Sequence, residues 1–384
     1  MNDSTDTTND RWYEIEEPGA IASPALVVDR ERVVANIEAA IELAGSPSRL
    51  RPHVKTHKCP EVVRLHLERG VTHFKCATVA EARMLAEAGA RDVLLAYQPV
   101  GPTIRLFLEL AHRMRGTSFA CLVDDAAVLD SLDLLAERVG TGVRVFLDYD
   151  VGMHRTGVAQ RESAADLYRR IAGARWVAAG GVHAYDGHTT ARDPEKREEQ
   201  AAQARENAVA LVAELDAAGL SVPEVVFSGT PGFPFHAAAL QATAVGPDGP
   251  TVRLSPGTYA YFDWGYAEAY PDLPFKPAAF VLGRVISVRE AGSFTIDVGS
   301  KAICADPPGE RGTILNLSGA RAGRQSEEHW EYSIDPIHTP TVGQVVYVWP
   351  RHICTSVEHY DHVQVISKGR WITKWPVSAR GRSA

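Results

Sequence analysis

Apolar residues fall in short runs along the first two-thirds of the chain, separated by longer segments with helical spacing. The apolar runs predict strands at Ala25–Asp29, Leu50–Lys55, His73–Ala77, Asp92–Tyr97, Ser118–Val123, Val143–Asp148, Ala178–His183, Val225–Ser228 and Val252–Leu254. Helical periodicity covers Glu61–Arg69, Ala80–Ala88, Ala126–Val139 and the charged, alanine-rich stretch Pro194–Ala218. This alternation is the signature of βα repeats on a parallel sheet. Nearly eight units in one run favour a (β/α)8 TIM-type barrel over a doubly wound sheet. Nine strands are one too many, and only the last eight end in polar or glycine-rich residues. The strand at 23–29 is therefore set outside the barrel, with the β domain as its alternative home.

After about residue 275 the pattern changes. Ala279–Ser287, Ser293–Asp297, Gln344–Trp349 and His362–Ser367 read as strands with no helical repeat between them. The expected organisation is a tail and lead-in over 1–22, disordered at its polar, acidic start, a barrel over 23–270 and a mainly β domain over 275–384. The polar segment Pro307–His338 reads as a long loop.

Composition narrows the function. The net charge of −8 and the lack of a basic run argue against nucleic-acid binding. No apolar stretch approaches the length of a membrane span. The first ten residues lack the basic and apolar regions of a signal peptide. Five dispersed cysteines suggest reduced thiols and a cytoplasmic protein.

Lys55 lies in RPHVKTHK, 51–58, where a strand gives way to a helix. An amine pointing into a pocket from that place is desolvated, its pKa falls, and it becomes a nucleophile able to hold an aldehyde as a Schiff base. The plain alternative is a surface lysine. Two glycine-rich turns, Ser228–Gly232 and Pro256–Tyr259, follow the last two barrel strands, where barrels commonly bind phosphate on backbone amides. An amine plus phosphate turns point to pyridoxal phosphate. In DYDVGMHRTG, 148–157, Arg155 is a candidate for a cofactor oxygen or carboxylate, the alternative being an ion pair with Asp148 or Asp150. His183, Tyr185 and His188 follow the next strand; one could face a pyridine nitrogen and another shuttle a proton. His352 and Cys354 are two residues apart, which in an extended segment puts an imidazole and a thiolate on one side. That pair suits a catalytic zinc with open positions, with manganese or magnesium as alternatives.

These motifs, in this order, resemble the fold-type III pyridoxal-phosphate family that contains D-serine dehydratase and D-threonine aldolase and is related to bacterial alanine racemases. The resemblance runs from SPALVVD at 23–29 to His352. Its pieces are RPHVKTHK, DVGMHRTG at 150–157, HAYDGH at 183–188, SGTP at 228–231 and PGTY at 256–259. It implies a barrel followed by a β domain in a head-to-tail homodimer. It also implies that Lys55 holds the cofactor, Arg155 contacts it, and His183 or Tyr185 lies near the ring nitrogen. Ser228, Gly229, Thr230, Gly257, Thr258 and Tyr259 would surround the phosphate, and His352 and Cys354 would hold a divalent metal.

The H-x-C pair and the Ser228–Pro231 turn resemble the dehydratases, whereas aldolases tend to carry aspartate at the second metal position. HAYDGH departs from the pattern of eukaryotic dehydratases, which leaves the ring-nitrogen partner open. The implied activity is metal-assisted β-elimination of water from a D-β-hydroxy-α-amino acid, giving a 2-oxo acid and ammonia. D-serine would give pyruvate, and D-threo-3-hydroxyaspartate would give oxaloacetate. The main rival is retro-aldol cleavage of a substrate such as D-threonine to glycine and an aldehyde, with His188 as base. A non-enzymatic cofactor-binding regulator is a remote third reading. Racemisation would need a second base, commonly a tyrosine of the β domain.

Overall fold

The computed structural model describes residues 11–242, 249–306 and 309–382. The polar tail expected over residues 1–10 lies outside them. The chain divides into two compact units. Of the described residues, one holds 37–242, 249–259, 272–274 and 378–382; the other holds 11–36, 260–271, 275–306 and 309–377.

The first unit is built on seven parallel strands paired in sequence order. These are β2 (His73–Cys76), β3 (Asp92–Leu95), β4 (Ser118–Val123), β5 (Val143–Asp148), β6 (Val177–Ala184), β7 (Glu224–Phe227) and β8 (Thr251–Leu254), following β1 (Ala25–Asp29) in the chain. Strands β3 and β7 are buried along their whole length, and β2 along all but its first residue, as expected where helices cover a parallel sheet. Leu94, Ala120, Leu122, Phe146 and Val226 pack together as an apolar cluster. The helices between strands start and stop on local signals. Asp125 caps Ala126–Val139 by accepting from the amides of Ala127 and Val128, and Gly140 ends that helix in the left-handed region. Asp193 and Pro194 start the helix Pro194–Ala217 in the same way.

The strand expected at Leu50–Lys55 does not form. Leu50 and His53 instead make isolated parallel bridges to Leu254 and Lys75. Arg51 N donates to Leu254 O (2.8 Å), His53 N to Pro256 O (2.9 Å) and Lys75 N to Pro52 O (2.9 Å). The segment thus links β8 to β2 and completes the ring. Pro52 has no amide hydrogen, so a continuous ladder is broken there. A 3-10 turn, Val54–Thr56, follows at once.

The second unit is a nine-stranded, mainly antiparallel sheet. It contains β9 (Ala279–Glu290), β10 (Ser293–Ile296), β11 (Gly312–Ile314), β12 (Arg321–Gln325), β13 (Trp330–Ser333), β14 (Val345–Pro350), β15 (His362–Ser367) and β16 (Arg370–Pro376). β1 lies in this sheet, parallel to β15 and antiparallel to β9. The strand set outside the barrel thus joins the β domain, the barrel unit runs to residue 259 rather than 270, and residues 378–382 group with that unit.

Three strands occupy the segment read as a loop at 307–338. Their reach is short, and β12 is polar and largely exposed, so no apolar period announces it. β13 does alternate, with Trp330 and Tyr332 buried. Residues 11–22 are packed rather than loose. Ile15 and Ile21 are buried in one apolar cluster with Val27, Phe280 and Ile366, and Trp12 meets the Phe280 ring edge-on at 5.4 Å.

Candidate active site

Arg155, His183, Tyr185, His188 and the two glycine-rich turns lie at or after the carboxyl ends of the parallel strands, and Lys55 follows the segment that bridges β8 and β2. RPHVKTHK contains two lysines, and their surroundings differ. Lys58 is buried and ion-paired with Glu81. Lys55 projects from the 3-10 turn and is exposed, so the desolvation expected for it is absent. Its backbone amide donates to His53 Nδ1 at 3.2 Å.

The two glycine-rich turns meet each other and the lysine segment. Thr230 Oγ1 accepts from the amides of Gly257 and Thr258, both at 3.2 Å. A Cβ on Gly257 would stand 3.2 Å from His53 O and 3.6 Å from Thr56 Oγ1. Only glycine lets the turn after β8 sit that closely against the segment holding Lys55. Ser228 has φ +85°, a left-handed conformation rarely adopted by a serine and often found at working turns.

Three members of the expected phosphate set are engaged internally. The Gly229 amide donates to Asp186 Oδ1 (3.0 Å), and Ser228 Oγ donates to Gly229 O (2.7 Å). Tyr259 is fully buried with its hydroxyl hydrogen-bonded to His66, so its side chain belongs to the packing. Thr230 Oγ1 and the amides of Gly257 and Thr258 are bonded to one another, so the two turns form one tied unit.

Arg155 pairs with neither carboxylate offered as its alternative. Asp148 accepts from His183 Nδ1 (2.7 Å) and Thr156 Oγ1 (2.9 Å), while Asp150 accepts from His154. Arg155 instead lies over the Tyr185 ring, 5.0 Å from its centroid. Tyr185 stacks with His183 at 6.4 Å and 10°. A Cβ on Gly229 would stand 3.6 Å from the Tyr185 hydroxyl, which places that hydroxyl beside the turn after β7. His188 packs over Gly152, whose φ of +130° and missing Cβ both suit glycine alone. The His188 Nδ1 is buried without a hydrogen-bond partner among the described residues.

Burial opposes the charged form of Asp148, but the hydrogen bonds and charge of His183 hold its pKa below the usual range. Burial pushes His183 down, against the pull of Asp148. An ionised Asp148 only accepts, so the His183 proton sits on Nδ1 and Nε2 is the acceptor.

Two groups were not singled out from the sequence. Lys75, on β2, is buried with its Nζ 3.5 Å from His183 Nε2 and 5.3 Å from the Tyr185 ring centroid. Asp186 is buried, accepting from His236 Nε2 (2.8 Å) as well as the Gly229 amide. A lone lysine inside the apolar run HFKCA was the available signal for Lys75. Asp186 offered none, because its role depends on a histidine fifty positions away.

In the second unit, His352 and Cys354 are not in an extended segment. His352 precedes the short helix Ile353–Val357, and Cys354 lies in its first turn. The two side chains still come within hydrogen-bonding reach. His352 Nδ1 donates to Asp306 Oδ2 at 3.0 Å, a carboxylate contact of the kind that orients a metal-ligating imidazole. Burial works against a charged His352, but Cys354, Asp263 and Asp306 raise its pKa to about 9. Among the described residues no group of three or more His, Cys, Asp or Glu is gathered as a metal site. The chemistry of the pair itself, a carboxylate-oriented imidazole beside a thiol, fits a divalent cation that keeps other positions open.

The donor set at the barrel mouth fits an aldehyde that bears a phosphate. An exposed amine, a threonine hydroxyl with two amides, a guanidinium and an aromatic ring stand on adjoining loops.

Comparison with known proteins agrees with this reading. The family model for the alanine racemase N-terminal domain matches residues 28–247, and that for a putative serine dehydratase domain matches 278–366. The chain is 29% identical to a D-threonine aldolase of Arthrobacter sp over 94% of each chain. It is 28% identical to a D-threo-3-hydroxyaspartate dehydratase of Delftia sp. (strain HT23), over 74% of this chain and 73% of that one. The crystal structure of D-threonine aldolase from Filomicrobium marinum superposes with a TM-score of 0.85 at 28% identity, covering 94% and 95% of the two chains. The chain therefore belongs to the alanine racemase N-terminal domain family, the fold-type III pyridoxal-phosphate proteins, within the branch whose named relatives are lyases.

Proposed function

We propose that this protein is a pyridoxal-phosphate-dependent lyase that removes water from a D-β-hydroxy-α-amino acid with the help of a divalent metal. The observation that carries the choice of dehydration is the imidazole–thiol pair of His352 and Cys354, the donor set that suits zinc. Bound pyridoxal phosphate supplies an electron sink that acidifies the α-proton of an attached amino acid. A divalent cation supplies a Lewis acid for the departing β-hydroxyl.

The chain's own residues then have these tasks. Lys55 Nζ would hold the cofactor aldehyde and would take the α-proton of the substrate. Thr230 and the amides of Gly257 and Thr258 hold the phosphate. Arg155 and Tyr185 would contact the cofactor, and the Tyr185 hydroxyl would serve its ring nitrogen, because both His183 nitrogens are already engaged. His352 and Cys354 hold the metal.

Retro-aldol cleavage is the second reading. It is favoured by the D-threonine aldolase relative, which matches over 94% of both chains, and by the unpartnered His188 Nδ1, a candidate base. Incubation of the full chain with D-serine, D-threonine and D-threo-3-hydroxyaspartate separates the two. Ammonia with a 2-oxo acid supports dehydration, whereas glycine with an aldehyde overturns it in favour of the second reading. We further propose a homodimer, which sedimentation would test.

A further inference from the structure

A buried lysine is costly unless its charge is paired or lost, because an ammonium leaves water at a penalty of several kcal/mol. Lys75 is 2% exposed, and among the described residues no carboxylate hydrogen-bonds or ion-pairs with it. It reaches His183 Nε2 at 3.5 Å and lies over the Tyr185 ring. His183 in turn is held on Asp148 through Nδ1 at 2.7 Å. The strand register makes this placement rigid, since Lys75 bridges His53 on one side and pairs with Leu94 on the other.

We infer that Lys75 is a positioning residue of the barrel-mouth site. Its buried amine donates to His183 Nε2, so that Asp148, His183 and Lys75 form one row that locks the imidazole and sets the charge beside Tyr185. The inference deepens the cofactor-site reading and rests on it for its functional meaning. Carboxylate acceptance at Nδ1 and amine donation at Nε2 occupy both ring nitrogens, so His183 cannot shuttle a proton as the sequence suggested. It acts as a fixed wall, and the group that titrates is the lysine behind it.

The surroundings decide where that titration falls. Burial first, then the charges of Lys55 and Arg51, opposed by Asp148 and Asp186, together lower the Lys75 pKa to about 7. His53 faces Lys75 from the neighbouring segment and is kept neutral by burial and by both lysines. Arg155 adds positive charge on the His183 side. The row therefore changes charge near pH 7, without any change in His183 itself.

The test is nitrogen NMR of histidine-labelled full chain, with and without pyridoxal phosphate, assigned by His183→Gln. In the wild type the His183 ring stays neutral with its proton on Nδ1, and the Nε2 resonance shifts with one midpoint near pH 7. Lys75→Met and Lys75→Arg both abolish that midpoint, one by removing the amine and the other by replacing it with a group that does not titrate there. A wild-type protein with no such midpoint overturns the inference without any variant. So does an unchanged midpoint in either variant. The measurement on cofactor-free chain stands even if Lys55 proves not to bind the cofactor, so the two readings fail separately.

Discussion

Thr230 Oγ1 accepts the backbone amide of Gly257 at 3.2 Å and so ties the turn after β7 to the turn after β8. The same oxygen takes the Thr258 amide. Thr230→Val keeps the shape and removes the oxygen, leaving two buried donors without it. Such a loss costs about 1–3 kcal/mol, so affinity for pyridoxal phosphate falls by about 5- to 150-fold in a fluorescence titration. Unchanged affinity would show that the two turns do not share the phosphate.

Lys55 is the expected attachment point, and Lys58 and Lys75 are its internal controls, the one ion-paired with Glu81 and the other buried against His183. Borohydride reduction of the protein with its cofactor, followed by peptide mass analysis, places the pyridoxyl group on Lys55. Lys55→Ala loses the label and the visible absorbance of bound cofactor. A label on either other lysine would sink the assignment.

The His352–Cys354 pair makes a separate claim. Cys354→Ala lowers bound metal in elemental analysis and reduces turnover at least about tenfold, while the visible absorbance of bound cofactor persists. Full turnover by a metal-free Cys354→Ala protein would remove the metal from the mechanism.

Arg51 is fully buried and fixes both Glu224, through Nε at 2.8 Å and Nη2 at 3.1 Å, and Asp92, through Nη1 at 2.7 Å. Arg51→Met leaves two buried carboxylates short of their partner, although Arg144 and Arg253 still reach them. Breaking a buried pair from one side typically costs about 3–5 kcal/mol. Urea denaturation of the variant should show a loss of that size, and a loss below about 1 kcal/mol would mean the network is dispensable.

Lys75 also predicts how stability depends on pH. Its folded pKa of about 7 lies below the 10.5 of an unfolded lysine. Between those values the unfolded chain binds the extra proton, so this group's contribution to stability rises with pH, by at most about 1.4 kcal/mol per pH unit. Below pH 7 its full destabilising effect is present. The advantage of Lys75→Met over wild type is therefore greatest at and below neutral pH and shrinks toward pH 10.5. A pH-independent difference in denaturant midpoints would contradict the buried-amine picture.

Much of this architecture was legible in residue patterning. Strands Ser118–Val123, Val143–Asp148 and His362–Ser367 appear with the boundaries that apolar runs suggest. Helix starts at Asp125 and Asp193 could be read from side-chain chemistry alone. Strands that escaped notice lacked a continuous apolar face. Arg370–Pro376 is exposed along most of its length, and Arg321–Gln325 is mostly polar. Their place comes from neighbours that pair with them rather than from their own residues. Pro52 shows the reverse case, where an apolar run promised a strand and one missing amide hydrogen prevented it.

The order of residues along the chain determined the alternation of strands and helices, the change of texture near residue 275 and the short list of chemically able side chains. All of these follow from local periodicity and residue type, which act over a few positions. Only the tertiary structure decided which of those side chains meet. It set Thr230 on the Gly257 turn, took Tyr259 into the packing, gave Asp148 to His183 instead of Arg155, and buried Lys75 beside them. Such partnerships join residues 27 to 193 positions apart, and they form because parallel strands bring their carboxyl ends to one rim, a long-range geometry that no local pattern encodes.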